Sequence, residues 1–208
     1  MTKEKIAKLL LELKAVDLNT KEGFVYASGI KSPIYCDNRI ILSYEKERED
    51  IIEGFLNLIK EKPLEFDFIA GVATAGIPWG AILADRLKKP FVFVRASKKD
   101  HGKGNQIEGE IEEGKKVLVV EDLISTGGSA LSACRTLTDS SCSVAACIAI
   151  FNYQMEDSLK NFTEAKISLY SLSDFSTLVK IASETEYINA EEKKKLMEWH
   201  QNPKDWKP

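Results

Sequence analysis

Five short apolar runs alternate with helical segments through the middle of the chain, and this alternation limits the possible fold more than any other feature. The runs cover residues 66–70, 90–94, 117–120, 144–150 and 166–170. Helices are predicted between them over residues 78–88 and 129–137. Strands that are apolar on both faces need cover on both faces. The pattern therefore predicts an α/β protein with a central parallel sheet flanked by helices.

The two ends of the chain do not follow this alternation. Residues 3–15 are predicted to form an amphipathic helix with an apolar face made of Ile6, Leu9, Leu10 and Leu13. Two short strands are expected at 24–27 and 33–36, on either side of a turn. Ser43 is expected to cap a helix that reaches about residue 60. We expect one domain in three parts, a small amino-terminal subdomain, an α/β core, and a carboxy-terminal helix and tail, over residues 1–62, 63–181 and 182–208.

Composition argues against several classes of protein. The chain carries 29 Lys and Arg against 32 Asp and Glu, a net charge of −3, which disfavours a nucleic-acid groove but permits a local basic patch. With only two histidines and no C-x-x-C pair, reduced thiols are expected rather than a zinc site. The cysteines are Cys36, Cys134, Cys142 and Cys147. No apolar stretch approaches the ~20 residues of a membrane helix, so a cytoplasmic protein is expected.

The segment that follows the third apolar run carries the strongest chemical signal. The run ends at two carboxylates, Glu121 and Asp122, and a turn rich in hydroxyls and glycines leads into a helix. This turn consists of Leu123, Ile124, Ser125, Thr126, Gly127, Gly128 and Ser129. Open α/β sheets bind ligands at the carboxyl ends of their strands, and glycines before a helix let backbone N–H groups approach a phosphate. The segment predicts a phosphate site beside carboxylates that suit sugar hydroxyls or a sugar-bound metal.

Neither G-x-x-x-x-G-K-[ST] nor G-x-G-x-x-G describes this segment. It resembles instead the signature with which type I phosphoribosyltransferases bind 5-phosphoribosyl pyrophosphate (PRPP). Three further stretches resemble orotate phosphoribosyltransferases in particular. They are the base-binding segment at residues 24–39, the pyrophosphate loop at 69–78, and the mobile catalytic loop at 95–104. These stretches occur in family order between about residues 3 and 170.

The resemblance implies a type I phosphoribosyltransferase fold in which residues 1–62 form a hood. It also implies transfer of the 5-phosphoribosyl group from PRPP to orotate in pyrimidine biosynthesis, with orotidine 5′-phosphate and pyrophosphate as products. Mg²⁺ would be held mainly by PRPP, with Asp122 as an additional contact through water. The family forms homodimers in which the mobile loop of one subunit closes over the site of its neighbour.

The resemblance also assigns roles to individual residues. The catalytic residues would be Arg95, Lys99, His101 and Asp122, the first three by contacting the diphosphate across the dimer. PRPP would contact those four residues together with Thr74, Ala75, Glu121, Leu123, Ile124, Ser125, Thr126, Gly127, Gly128 and Ser129. Orotate would contact Ser125, Tyr35 and Arg39.

The chain departs from many bacterial relatives at three positions. Ala27 and Ala96 stand where those relatives have lysines, and the segment around Asn152 lacks an arginine that pairs with the orotate carboxylate. Arg39 and Lys98 are conceivable replacements for the arginine and for the loop lysine. Arg39 has an alternative role in a local ion pair with Asp37. Two other functions stay open: transfer to another base, and non-catalytic PRPP binding by a regulator, although a regulator would be expected to carry a DNA-binding domain.

Overall fold

The computed structural model describes residues 1–25, 31–97, 106–203 and 205–206. In chain order, the strands are β1 (Val16–Leu18), β2 (Phe24–Val25), β3 (Lys31–Ser32), β4 (Ile34–Cys36), β5 (Phe68–Val72), β6 (Phe91–Val94), β7 (Ile107–Glu108), β8 (Lys116–Ile124), β9 (Ser143–Asn152) and β10 (Leu169–Asp174). The helices are α1 (Lys3–Glu12), α2 (Glu45–Glu61), α3 (Gly76–Leu87), α4 (Gly128–Asp139), α5 (Glu156–Glu164), α6 (Phe175–Glu184) and α7 (Ala190–Gln201).

A six-stranded sheet with the order β10-β9-β8-β5-β6-β7 forms the centre of the molecule. All neighbouring strands in it are parallel except β7, which runs antiparallel to β6. Each predicted apolar run overlaps one of the five parallel strands, so the predicted parallel sheet flanked by helices is confirmed. The edge strand β7 was not predicted, because two residues are too few to show a periodic pattern.

Alternate residues along β8 enter two cores on opposite faces of the sheet. Val119 packs with Cys134 of α4 in one core. Leu118 packs with Trp79 of α3 in the other, which also takes in α1, α2, α6 and α7. Successive side chains of a strand point to opposite faces, and both faces here are covered by helices. This arrangement explains why the strand is apolar at every position from Val117 to Val120.

One prediction for the amino-terminal part was wrong. Ser43 does not cap a helix, because it is the last residue of a 3₁₀ helix over Asn38–Ser43, and α2 begins after Tyr44 without a side-chain cap. Over their described residues, the two predicted strands correspond to β2 and β4. Their pairing was not predicted: β2 pairs with β3, and β4 pairs with β1. The Ser32 hydroxyl bonds locally to the main chain of Ile34, and this turn separates β3 from β4.

The carboxy-terminal residues pack onto both the core and the amino-terminal part. Trp199 of α7 is buried, and His200 stacks on Phe175 and contacts the main-chain oxygen of Tyr153 at 2.8 Å. The division into hood, core and tail stays a prediction. None of the helices in the described part of the chain combines the length and apolar character that a bilayer span requires.

Candidate functional site

The loops that follow β5 and β8 meet at the carboxyl edge of the sheet and enclose a cavity of about 370 Å³. Because these two strands are parallel neighbours, their carboxyl ends lie side by side. The cavity is lined by Ala73, Thr74, Ala75, Glu121, Asp122, Leu123, Ile124, Ser125, Thr126, Gly127, Gly128, Ser129 and Ala130. The structure thus brings Thr74 and Ala75 together with the whole turn that sequence analysis singled out.

The turn after β8 presents the first turn of α4 to this cavity. Gly127 precedes the helix with φ of +79°, a backbone conformation that favours glycine. A Cβ at Gly127 would also lie 2.7 Å from the ring of Phe162. No acidic residue occupies the first turn of α4, and its first two residues, Gly128 and Ser129, are exposed. The free N–H groups and positive partial charge of a helix N-terminus make this end suitable for a phosphate.

The loop after β5 is held against β8 by a close approach of two backbones. A Cβ at Gly76, the first residue of α3, would overlap the main-chain oxygen of Val120. This contact places the loop formed by Ala73, Thr74 and Ala75 directly beside Glu121. The peptide bond between Ala73 and Thr74 is cis.

Glu121 and Asp122 form a half-buried acidic pair at the base of the cavity. The Glu121 side chain is almost fully buried, and its Oε1 accepts a hydrogen bond of 3.0 Å from the main-chain N–H of Asp122. Burial raises the pKa of the Glu121 carboxyl, and the nearby charge of Asp122 raises it further. Burial also raises the pKa of Asp122. The ligand-free pair therefore keeps a proton at a pH at which separate, exposed carboxyls would have lost theirs.

Arg95 lies beside a second cavity of about 240 Å³, which shares Ala73, Gly128 and Ser129 with the first. Its guanidinium is 3.3 Å from the carboxylate of Glu108, in an ion pair that joins the end of β6 to β7. A cation thus stands next to the phosphate site. The other predicted loop residues, Lys98, Lys99 and His101, lie outside the described residues.

Tyr35 and Arg39 do not line either cavity. Tyr35 is exposed on β4, with its ring 5.6 Å from that of Phe24. Arg39 forms a two-pronged ion pair with Asp37, with N···O distances of 2.6 and 2.8 Å. Hydrogen bonding to Asp37 raises the pKa of Arg39, and the charge of Asp122 adds to this effect, so the guanidinium lies within the electrostatic reach of the acidic pair. In the ligand-free protein, Arg39 therefore adopts the local ion pair that was its alternative role.

The segment after β9 forms a turn in which the side chains of Asn152 and Gln154 both accept hydrogen bonds. The Asn152 side chain accepts a hydrogen bond of 2.8 Å from the N–H of Gln154, and the Gln154 side chain in turn accepts from Ser176. These bonds engage the amide oxygens of Asn152 and Gln154, and neither side chain carries the positive charge of the missing arginine.

Sequence analysis missed Asn38, whose fully buried side chain donates a hydrogen bond of 2.8 Å to the main-chain oxygen of Asp122. The two residues are 84 positions apart, and no local pattern marks such a contact.

Comparison with known proteins places the chain among phosphoribosyltransferases. Residues 41–170 match the family model for the phosphoribosyl transferase domain. The orotate phosphoribosyltransferase of Coxiella burnetii is 53% identical over 203 residues, which are 98% of this chain and 97% of that protein. The orotate phosphoribosyltransferase of Bacillus subtilis is 48% identical over 206 residues, covering 98% and 95% of the two chains.

Solved structures show the same fold. The orotate phosphoribosyltransferase of Aeropyrum pernix superposes with a TM-score of 0.71 at 28% identity, over 84% of this chain and 97% of that chain. The UMP synthase of Leishmania donovani superposes with a TM-score of 0.81, over 97% of this chain and 42% of that chain. The second match, at 19% identity, carries information about the fold alone.

The acidic pair leads to a prediction about stability. An unfolded Glu loses its proton above a pH of about 4.3, whereas folded Glu121 keeps its proton to a higher pH because its pKa is raised. Between the unfolded and the folded pKa, the folded state therefore binds one proton more than the unfolded state. The free energy of unfolding of the wild type falls there by up to about 1.4 kcal/mol for each unit of pH increase. Glu121→Gln removes this dependence and should stabilise the ligand-free protein by roughly 1–3 kcal/mol at about pH 7.5, and by less at about pH 5. Urea denaturation at both pH values measures this. The exposed Glu113→Gln is the control, and an equal gain at both pH values would contradict the prediction.

Proposed function

Because the chain belongs to the phosphoribosyltransferase family, and within it to the orotate phosphoribosyltransferases, we propose that it transfers the 5-phosphoribosyl group of PRPP to orotate. The products are orotidine 5′-phosphate and pyrophosphate, and the reaction belongs to pyrimidine biosynthesis. One structural observation supports the proposal independently of the family match. A phosphate cradle, two carboxylates and a second backbone loop line a single cavity of about 370 Å³.

The reaction replaces the bond between C1 of the ribose and the diphosphate by a bond between C1 and a ring nitrogen of orotate. Positive charge develops on the ribose while negative charge accumulates on the leaving group. An enzyme of this kind acts mainly by aligning the two reactants and stabilising the departing charge. The cavity has groups suited to both tasks at its two ends.

At one end, the 5-phosphate of PRPP binds to the turn from Ser125 to Ser129. The exposed N–H groups and hydroxyls of this turn donate hydrogen bonds, and the α4 N-terminus adds positive partial charge. The ionised carboxylates of Glu121 and Asp122 accept hydrogen bonds from the ribose hydroxyls. Binding of these hydroxyls favours loss of the proton that the acidic pair holds at rest.

At the other end, the leaving diphosphate contacts Thr74 and Ala75, and Arg95 contacts it from beside the second cavity of the same subunit, in place of the contact across the dimer that the resemblance implies for Arg95. The second cavity, which shares residues with the first and is lined by Arg95, provides room for it. A guanidinium forms charge-assisted hydrogen bonds with phosphate oxygens, and Arg95 must exchange its partner Glu108 to do so. Lys99 and His101, outside the described residues, are assigned to the same diphosphate on the family resemblance alone.

The residues present fit a Mg²⁺ ion that is held mainly by the substrate. Mg²⁺ prefers oxygen ligands and is commonly bound through one or two carboxylates together with substrate phosphates. Asp122, which lines the cavity, offers such a carboxylate through water. Mg²⁺ bound there would neutralise charge on the leaving diphosphate.

We further propose, on the resemblance, a cytoplasmic homodimer in which the loop that carries Lys99 reaches the site of the neighbouring subunit. Ser125, Tyr35 and Arg39 are proposed to contact orotate. Ser125 lines the cavity, and the charge of Asp122 acts on Arg39.

An absorbance assay tests the function directly. Orotate absorbance should fall only when PRPP and Mg²⁺ are both present. Uracil lacks the carboxylate, so it should react with a kcat/KM that is lower by roughly 10⁴-fold. Faster reaction of another base would indicate a different phosphoribosyltransferase. PRPP binding without consumption of any base would indicate a non-catalytic regulator.

Subunit mixing tests the shared site. Lys99→Ala and Asp122→Ala should each abolish most activity, because they remove opposite halves of one site. A 1:1 mixture that exchanges subunits should regain about a quarter of wild-type activity, since half of the dimers are hybrids with one intact site. Two preparations of Lys99→Ala mixed together are the control. Verified hybrids without activity would show that each subunit uses its own loop.

Substitution of Arg39 tests base recognition. Arg39→Ala should raise the KM for orotate by at least about tenfold, because a charge-assisted contact is lost, and should leave the PRPP Kd within about threefold. Arg86→Ala is a matched control, since Arg86 forms a similar two-pronged pair with Glu49 at the far end of α3. Calorimetry measures each ligand separately. Unchanged orotate affinity would show that Arg39 does not bind the orotate carboxylate, and would favour backbone N–H groups or Ser125 as its partners.

A further inference from the structure

Asn38 connects the amino-terminal part of the chain to the acidic pair. It is the first residue of the 3₁₀ helix after β4, and its side chain is fully buried. Its Nδ2 donates a hydrogen bond of 2.8 Å to the main-chain oxygen of Asp122. This bond joins the segment that carries Tyr35 and Arg39 to the segment that carries the carboxylates.

The hydrogen bond reaches β8 where the strand has lost one of its neighbours. Pairing between β5 and β8 ends at Gly71 and Val120, whereas pairing with β9 continues to Ile124. Beyond Val120, side chains form hydrogen bonds with the β8 backbone in place of a paired β5. The N–H of Asp122 donates to the Glu121 carboxylate, and its main-chain oxygen accepts from Asn38. Asn38 is therefore one of two side chains that fix the backbone of Asp122.

The same side chain also contains an unsatisfied group. Asn38 Oδ1 is buried and has no hydrogen-bond partner. A buried acceptor without a partner costs free energy, and an apolar side chain of similar shape would avoid this cost. The same apolar side chain would, however, leave the main-chain oxygen of Asp122 without its donor. The benefit lies in the bond that Nδ2 makes to Asp122.

The residues next to Asn38 face the base side of the proposed reaction. Asp37 and Arg39 form their ion pair immediately on either side of it, and the charge of Asp122 acts on Arg39. A shift of Asn38 would thus change the distance between the hood segment and the acidic pair. On the proposed function, that distance sets the relative position of the base, bound by the hood segment, and the ribose, bound by the acidic pair.

We propose that Asn38 is a positioning residue that holds Asp122 in register with the hood segment, so that orotate and C1 of the ribose are aligned for bond formation. The proposal rests on the proposed function. It assigns Asn38 no contact with either substrate. Loss of its bond to Asp122 should therefore impair turnover much more than ground-state binding.

Asn38→Leu, which keeps the approximate shape of the side chain but removes Nδ2, provides the test. We expect kcat for orotate and PRPP to fall by roughly 10- to 100-fold, the range associated with small misplacements of reacting groups. The PRPP Kd should change by less than about threefold, because the phosphate cradle is intact. The midpoint of urea denaturation should change little, since Leu removes the unpaired Asn38 Oδ1 but leaves the main-chain oxygen of Asp122 without its donor, and the two effects offset each other.

Asn189→Ala is the matched control for loss of stability. Asn189 caps α7 in a capping box with Glu192, so its loss should lower the urea midpoint and leave kcat unchanged. If Asn38→Leu does not fold, Asn38→Ser provides the same test, because its shorter side chain cannot reproduce the geometry of the Nδ2 donor. It should show the same fall in kcat at an unchanged PRPP Kd.

The outcomes separate the two proposals. If the wild-type protein consumes no orotate, the proposed function is wrong. If the wild-type protein is active and a folded Asn38 variant keeps kcat within twofold of it, the positioning role is wrong. A fall in kcat that only follows the fraction of folded protein would also overturn the positioning role.

Discussion

The contact between the start of α3 and the end of β8 is the constraint on which the site depends. Gly76 lies so close to the main-chain oxygen of Val120 that a single added carbon would overlap it. Because α3 begins at this point, the loop before it lies against Glu121 and forms one wall of the cavity. The parallel register of β5 and β8 brings the two loops to one edge, and this glycine lets them touch. A larger residue would push the two halves of the cavity apart.

The cavity combines two electrostatic environments that oppose each other. The α4 N-terminus favours anions, whereas the neighbouring pair Glu121 and Asp122 is acidic and half buried. Burial and mutual repulsion make the ionised pair unfavourable at rest. Under the proposed function, the ribose hydroxyls and Mg²⁺ would relieve this cost when PRPP binds. Local destabilisation of this kind is expected where a protein is arranged for a ligand rather than for its own stability.

Local patterns made the core and the phosphate turn predictable from sequence. The apolar runs predicted the five parallel strands, and the turn from Glu121 to Ser129 was recognised because its residues are contiguous. The amino-terminal part was harder to predict, since its strands have two or three residues and their pairing depends on contacts distant in sequence. Ser43 was mistaken for a helix cap because a 3₁₀ helix has no distinct sequence signature. The bond from Asn38 to Asp122 could not be predicted, because it crosses 84 positions.

The weak ion pair between Arg39 and Asp37 bears on how the orotate carboxylate is recognised. The segment at Asn152, where many relatives carry an arginine, has no basic residue, so a cation for the orotate carboxylate would come from another part of the chain. Arg39 is already bound to Asp37, but the Arg39 side chain is 60% exposed, and exposed pairs of this kind contribute only about 0–1 kcal/mol. A ligand carboxylate that arrives as water is expelled can therefore compete with Asp37 for the guanidinium. On this proposal, the ion pair with Asp37 would keep Arg39 oriented for the exchange, and Asn38 would keep the exchanged carboxylate near the ribose.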